Sequence, residues 1–117
     1  MSEQENKLIA EFMGIQVIDN EIDSPFRPNL NCFRKKELKY HSDWNWLIPV
    51  IEKIETLNNP TTPYNSSVSV NIYDNACEIS YTGYHSGTIV EINLGNKLKS
   101  TYEAVLKFIE WYNKQIN

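Results

Sequence analysis

Between Ser67 and Leu94 the apolar residues of this chain recur at every second position, whereas on both sides of that stretch they recur at every third or fourth. A period of two belongs to a strand with one buried face, and a period near 3.6 to an amphipathic helix. The order helix, strands, helix is therefore set before any single residue is interpreted. Val68, Val70 and Ile72 alternate with Ser67, Ser69 and Asn71. Asp74 and Asn75 supply a tight turn, and Cys77, Ile79 and Tyr81 alternate with Glu78, Ser80 and Thr82 on the return. Gly83 and Gly87 bracket the next turn, after which Val90, Ile92 and Leu94 alternate with Glu91 and Asn93. The pattern predicts an antiparallel three-stranded meander over about 67–73, 77–82 and 88–94.

The helices are read from their stripes and punctuation. Trp44, Leu47, Ile48, Ile51 and Ile54 form the most apolar helical face, predicting a helix over about 43–57 with Ser42 or Asp43 as its cap. Pro49 falls inside it, so either the helix kinks or a short 3₁₀ turn precedes a helix starting near Ile48. Tyr102, Val105, Leu106, Ile109, Tyr112 and Ile116 predict a closing helix over about 101–115, with Ser100 and Glu103 as a capping box. Leu8, Ile9, Phe12 and Met13 predict an opening helix over 5–13 that Gly14 stops, and Ile15 to Ile18 a brief strand or return segment. Pro25 and Pro28 mark a loop, and a short additional hairpin is expected over 32–40. The expected architecture is one α+β domain spanning 1–117, its sheet packed by the central and closing helices.

Composition limits what such a domain could do. A net charge of −4 disfavours general binding to nucleic acid or anionic membranes. Cys32 and Cys77 show no CxxC or CxxH spacing, so neither a zinc site nor a redox pair is expected, and no cofactor. The opening residues lack the basic and apolar regions of a signal peptide, and no apolar run approaches membrane-spanning length. A cytoplasmic location is the expectation.

Three strings carry a resemblance: Lys7 to Gly14 ending in Met-Gly, Tyr40 to Leu47 with its two tryptophans, and Thr101 to Asn113 with Ile109-Glu110-Trp111-Tyr112 near its end. In these the chain resembles small uncharacterised proteins of tailed phages and prophage-like elements, especially of Bacteroidota, and is similar to the phage α-β-α sandwich domain family. The resemblance implies a phage or prophage accessory protein, at work in the host cytoplasm if phage-encoded. Its motifs are packing motifs and imply no catalytic residues.

The candidate sites follow from residue type. His41 and His85 have no HxxH, HExxH or HxD spacing, and Ser86 has no GxSxG elbow, so catalytic and metal-ligating sets are both read as none. An enzyme is accordingly the least favoured class. Arg34, Lys35 and Lys36, with Tyr40 and His41 beside the start of the central helix, form the one place where a small anionic ligand such as a nucleotide would sit; a solvated loop is the plainer reading. Trp46 and Trp111 fall beside the main stripes of their helices, with Phe108 close by in the closing helix. Either they form a partner surface, or the stripes are simply wide. The first reading makes the protein a binder of a phage or host protein or of its own copy, most simply as a homodimer. The alternative is a sponge-like protein that sequesters an anionic or nucleotide ligand.

Overall fold

The computed structural model describes residues 2–18, 32–34, 37–57, 67–82 and 86–116. Its elements run α1 (Ser2–Phe12), β1 (Gln16–Ile18), β2 (Cys32–Arg34), α2 (Trp44–Glu55), β3 (Ser67–Ile72), β4 (Ala76–Thr82), β5 (Gly87–Asn93) and α3 (Lys97–Ile116). The fold is α+β: β3, β4 and β5 form an antiparallel meander, and the helices pack against it.

Strand register places the alternating apolar residues opposite one another. Val70, Ile79 and Val90 align across the three strands, as do Ile72, Cys77 and Ile92. The register slips by one after Ile79, leaving Ile89 as the extra residue of a β-bulge. This apolar face meets α3 over β4 and β5, and α2 beside β3. On the opposite face Ser69 pairs with Ser80, and Glu78 lies across from Glu91. Two like charges directly opposite are tolerated only where water can screen them, and Glu91 is exposed. At the β3 edge, the Val70 N–H donates to Glu55 Oε2 at 3.2 Å, so a side chain from the end of α2 occupies a backbone donor that could otherwise recruit another strand.

Helix ends follow local chemistry. Asp43 caps α2, its carboxylate accepting from the Asn45 N–H at 2.8 Å. The helix continues unbroken through Pro49, which stands exposed on its outer side. Helix α1 closes in a Schellman arrangement: the Ile15 N–H donates to the Ala10 carbonyl and the Gly14 N–H to that of Glu11. Gly14 takes φ +75° there, a left-handed conformation that glycine adopts without a Cβ penalty.

Three expectations need correction. The short hairpin over 32–40 does not form: Cys32–Arg34 pairs in parallel with Gln16–Ile18, and Lys39 to Asp43 is a turn in which the Ser42 and Asp43 N–H groups share the Lys39 carbonyl. The closing helix begins at Lys97 rather than near 101, because Asn96 is a better-placed cap; its Oδ1 accepts from the Lys99 N–H at 2.9 Å. Ser100 is therefore inside the helix and fully buried. Its hydroxyl donates to the Asn75 carbonyl at 2.8 Å and accepts from the Leu94 N–H at 2.9 Å, tying α3 to the β3–β4 turn and to the end of β5. Ser100→Ala leaves both backbone groups short of a partner and is expected to destabilise the fold by about 1–3 kcal/mol. Urea unfolding measures this, and an unchanged midpoint would contradict the assigned role.

The third correction concerns the buried face of α1. Asn6, Ile9 and Ala10 are its buried residues, while Leu8 and Phe12 are half-buried. The stripe is rotated from the expected one so that an asparagine lies near its centre. The core continues from these residues through Leu47, Val50 and Ile54 of α2 and Val105, Phe108 and Ile109 of α3 to Cys77 and Ile79. Among the described residues no helix is long and apolar enough to cross a membrane.

Candidate functional site

The residues singled out from the sequence separate into distinct places. The side chains of Arg34, Lys35, Lys36 and His85 lie outside the described residues. Tyr40, placed in the candidate anionic-ligand site, is 2% exposed, and burial pushes its phenol up to about 12, so the ring belongs to the core. The start of α2, read as a source of free N–H groups for an anion, is capped by the Asp43 carboxylate. An anionic ligand at that terminus would face a negative charge already in place. Phe108, grouped with the partner surface, is fully buried and lies against Trp111 and Tyr112 at ring separations of 5.7 and 5.8 Å, so it offers no surface for a partner. Cys77 is buried as well; burial, opposed by a hydrogen bond with Thr101, raises its thiol to about 11, which keeps it protonated and unreactive.

Trp46 remains at the surface. It is half-buried, and its ring meets Tyr40 edge-on at 5.3 Å, a contact that holds it in one orientation. It forms one wall of a groove of about 230 Å³ completed by Met13, Ile15, Asn45 and Pro49, with Tyr40 at its base. Helix α1 and its glycine stop deliver Met13 and Ile15 to this groove, and α2 delivers Trp46 and Pro49. The two helices are clamped together nearby: the Lys53 ammonium donates to the Phe12 carbonyl and lies 4.5 Å from the centre of the Phe12 ring. A cation at the carbonyl end of a helix is also favoured by the helix dipole. Trp111 does not line this groove; it packs on Phe108 along α3.

His41 lies elsewhere, above a buried junction that the sequence reading missed. The Asn6 side chain, 1% exposed, donates from Nδ2 to the Leu38 carbonyl at 3.1 Å and lies 2.8 Å from His41 Nδ1, while its Oδ1 accepts from the Tyr102 hydroxyl at 2.9 Å. The Leu38 carbonyl requires an N–H and the Tyr102 hydroxyl supplies a proton, so the amide has one orientation. Its remaining N–H points at His41 Nδ1, which must accept, and the neutral imidazole then carries its proton on Nε2. Burial, together with the nearby Glu5 and Glu103, holds the Tyr102 phenol above its ordinary range, so it is a firm donor. His41 and Tyr102 both line an open cleft of about 520 Å³ between α1 and the first turns of α3, with Glu5, Leu98, Lys99 and Glu103 around it.

Neither the junction nor the groove could be named from motifs, although one signal was available. Asn6 stands three residues before Ile9 and seven before Met13, on an apolar face where an amide must find partners. The groove carries no comparable mark, since Met13, Ile15 and Pro49 become neighbours only when the end of α1 is brought against α2. No known family model, characterised protein or solved structure matches this chain.

Proposed function

We propose that the protein acts by binding rather than by catalysis, and that it does so as a homodimer formed through the groove at Trp46. The observation that carries this reading is the groove itself: a tryptophan held edge-on by Tyr40, beside Met13, Ile15 and Pro49. Tryptophan is enriched among residues that dominate association energies, and anchoring in a preformed geometry lowers the ordering cost of association. At about 230 Å³ the groove is smaller than the roughly 300–1,000 Å³ typical of cofactor and drug-sized sites, which favours a single side-chain anchor as its occupant. In a two-fold dimer each copy would offer the same patch, so Trp46 of one protomer would seat in the groove of its partner.

The resemblance in the sequence makes a phage or prophage accessory role the proposed setting. The sponge-like alternative draws less support from the geometry, because Tyr40 is buried and Asp43 already caps the neighbouring helix. Light scattering coupled to size exclusion tests the preferred reading. A dimer is expected at micromolar concentration, with Trp46→Ser shifting it to monomer by weakening association at least about tenfold. A monomeric wild-type chain, or a variant that remains dimeric, would refute it.

A further inference from the structure

Helix α1, the segment 38–43 and α3 meet at one side-chain amide. Asn6 Nδ2 donates to the Leu38 carbonyl at 3.1 Å and lies 2.8 Å from His41 Nδ1, and Asn6 Oδ1 accepts from the Tyr102 hydroxyl at 2.9 Å. Both N–H groups and the oxygen of the amide are thereby used. Asn6 is 1% exposed, whereas His41 is exposed to solvent, its ring edge-on to that of Tyr102 at 6.3 Å between centroids. A buried hydrogen-bond junction is therefore closed on one side by a group that solvent protons reach.

We propose that His41 is a pH-sensitive latch on α1, holding the Asn6 amide when neutral and releasing it when protonated. The geometry sets the sign. A neutral imidazole can present a lone pair at Nδ1, while an imidazolium carries an N–H on both nitrogens. A proton on Nδ1 would set two N–H groups against each other across 2.8 Å. The amide cannot turn over to offer its oxygen, because that oxygen would then meet the Leu38 carbonyl. Turning the ring over does not help either, since it puts a carbon where Nδ1 stood. The charged ring therefore swings toward solvent, and Asn6 keeps two of its three partners. Among the described residues, Glu5 of α1 and Glu103 and Lys99 of α3 line the same cleft as His41, and Lys39 and Asp43 flank it in its own segment. The carboxylates favour the imidazolium and the ammonium groups oppose it, whereas Tyr102, its phenol held above the ordinary range chiefly by burial, stays neutral. These charges act on the ring's proton; the hydrogen bond to Asn6 depends on the Nδ1 lone pair. The attachment of α1 is thus complete where the imidazole is neutral and weakens as acid protonates it.

The test is an NMR titration of the full chain from about pH 8 to about pH 5, which spans an imidazole titration. At the upper end the His41 ring nitrogen shifts should report the Nε2–H form, with His41 distinguished from His85 by comparison with His85→Gln. The Asn6 side-chain amide protons should then move together with the His41 ring signals. Opening of α1, read from backbone amide exchange at Ile9 and Ala10 after correction for intrinsic pH dependence, should rise by about tenfold across the titration, the size expected when a buried N–H loses its acceptor. In His41→Gln, which keeps a side-chain acceptor and does not titrate, the rise should stay below about twofold. An Nδ1–H tautomer at the upper end, Asn6 signals indifferent to the His41 titration, or the same rise in His41→Gln as in the wild type would each overturn the latch. These readouts belong to α1 and the 38–43 segment within one chain, so they hold whether or not the protein dimerises at Trp46.

Discussion

Phe108→Ala is expected to destabilise the folded chain by about 3–5 kcal/mol, the range for removing a phenylalanine ring from a packed core. Phe108 is fully buried, stacked on Tyr112 at 16° between ring planes and tilted against Trp111. Phe12 of α1 then meets Tyr112 edge-on at 6.3 Å, so the ring is one member of an aromatic series linking α3 to α1. Deleting it removes apolar area and leaves a cavity beside rings that cannot collapse into it without giving up these contacts. For a domain of ordinary stability, roughly 5–15 kcal/mol, the loss is a large share of the total. Urea unfolding of the variant and of the milder Phe108→Leu measures the effect. The sequence reading that grouped Phe108 with a partner surface makes the opposite prediction, with little change in unfolding and a loss of association. A cost below about 1 kcal/mol would favour that reading over burial in the core.

Asn6→Leu should cost a similar amount for a different reason. Leucine is close to asparagine in size, so the volume is nearly kept and the penalty is polar. The Leu38 carbonyl and the Tyr102 hydroxyl, in residues 1% and 6% exposed, both lose their partner, and the more accessible His41 Nδ1 loses its donor. A buried group left without a hydrogen bond costs about 1–3 kcal/mol, so the expected total is about 3–5 kcal/mol. The junction joins three distant parts of the chain, and a double-mutant cycle separates its members. Tyr102→Phe removes the stranded hydroxyl, so in the Asn6→Leu background it should be nearly neutral or stabilising, whereas in the wild type it strands the buried Asn6 Oδ1 and should cost about 1–3 kcal/mol. Strict additivity of the two substitutions would contradict the hydrogen bond between them.

The parts of this fold that were legible in the sequence are those written in local periodicity. The alternation from Val68 to Ile92 set the strands and their buried face, and the Asp74-Asn75 turn set their register. The Trp44 to Ile54 stripe placed α2, although Ile48, read as part of it, is exposed and Val50 is buried in its stead, and Gly14 stopped α1 close to where glycine usually does. What failed did so where two local rules competed or where partners are remote. Asn96 and Ser100 are both good caps, and the tertiary fold decided between them by giving Ser100 two backbone partners in the sheet. The pairing of Gln16–Ile18 with Cys32–Arg34 is parallel and non-local, and nothing in either tripeptide specifies it. The candidate sites suffered most, since aromatic residues look alike in a string whether they lie in a core, as Tyr40 and Phe108 do, or at a surface, as Trp46 does in part.

The proposed interface has a definite location, and hydrogen–deuterium exchange measured across a range of protein concentrations probes it directly. If Trp46 of each protomer seats in its partner's groove, raising the concentration should slow exchange in the peptides covering Met13 to Val17 and Trp44 to Val50, while the β5 edge from Thr88 to Asn93 exchanges at a constant rate. Protection that grows along β5 instead, or exchange independent of concentration in every peptide of a chain that scatters as a dimer, would place the interface elsewhere and contradict the reading of the Trp46 groove.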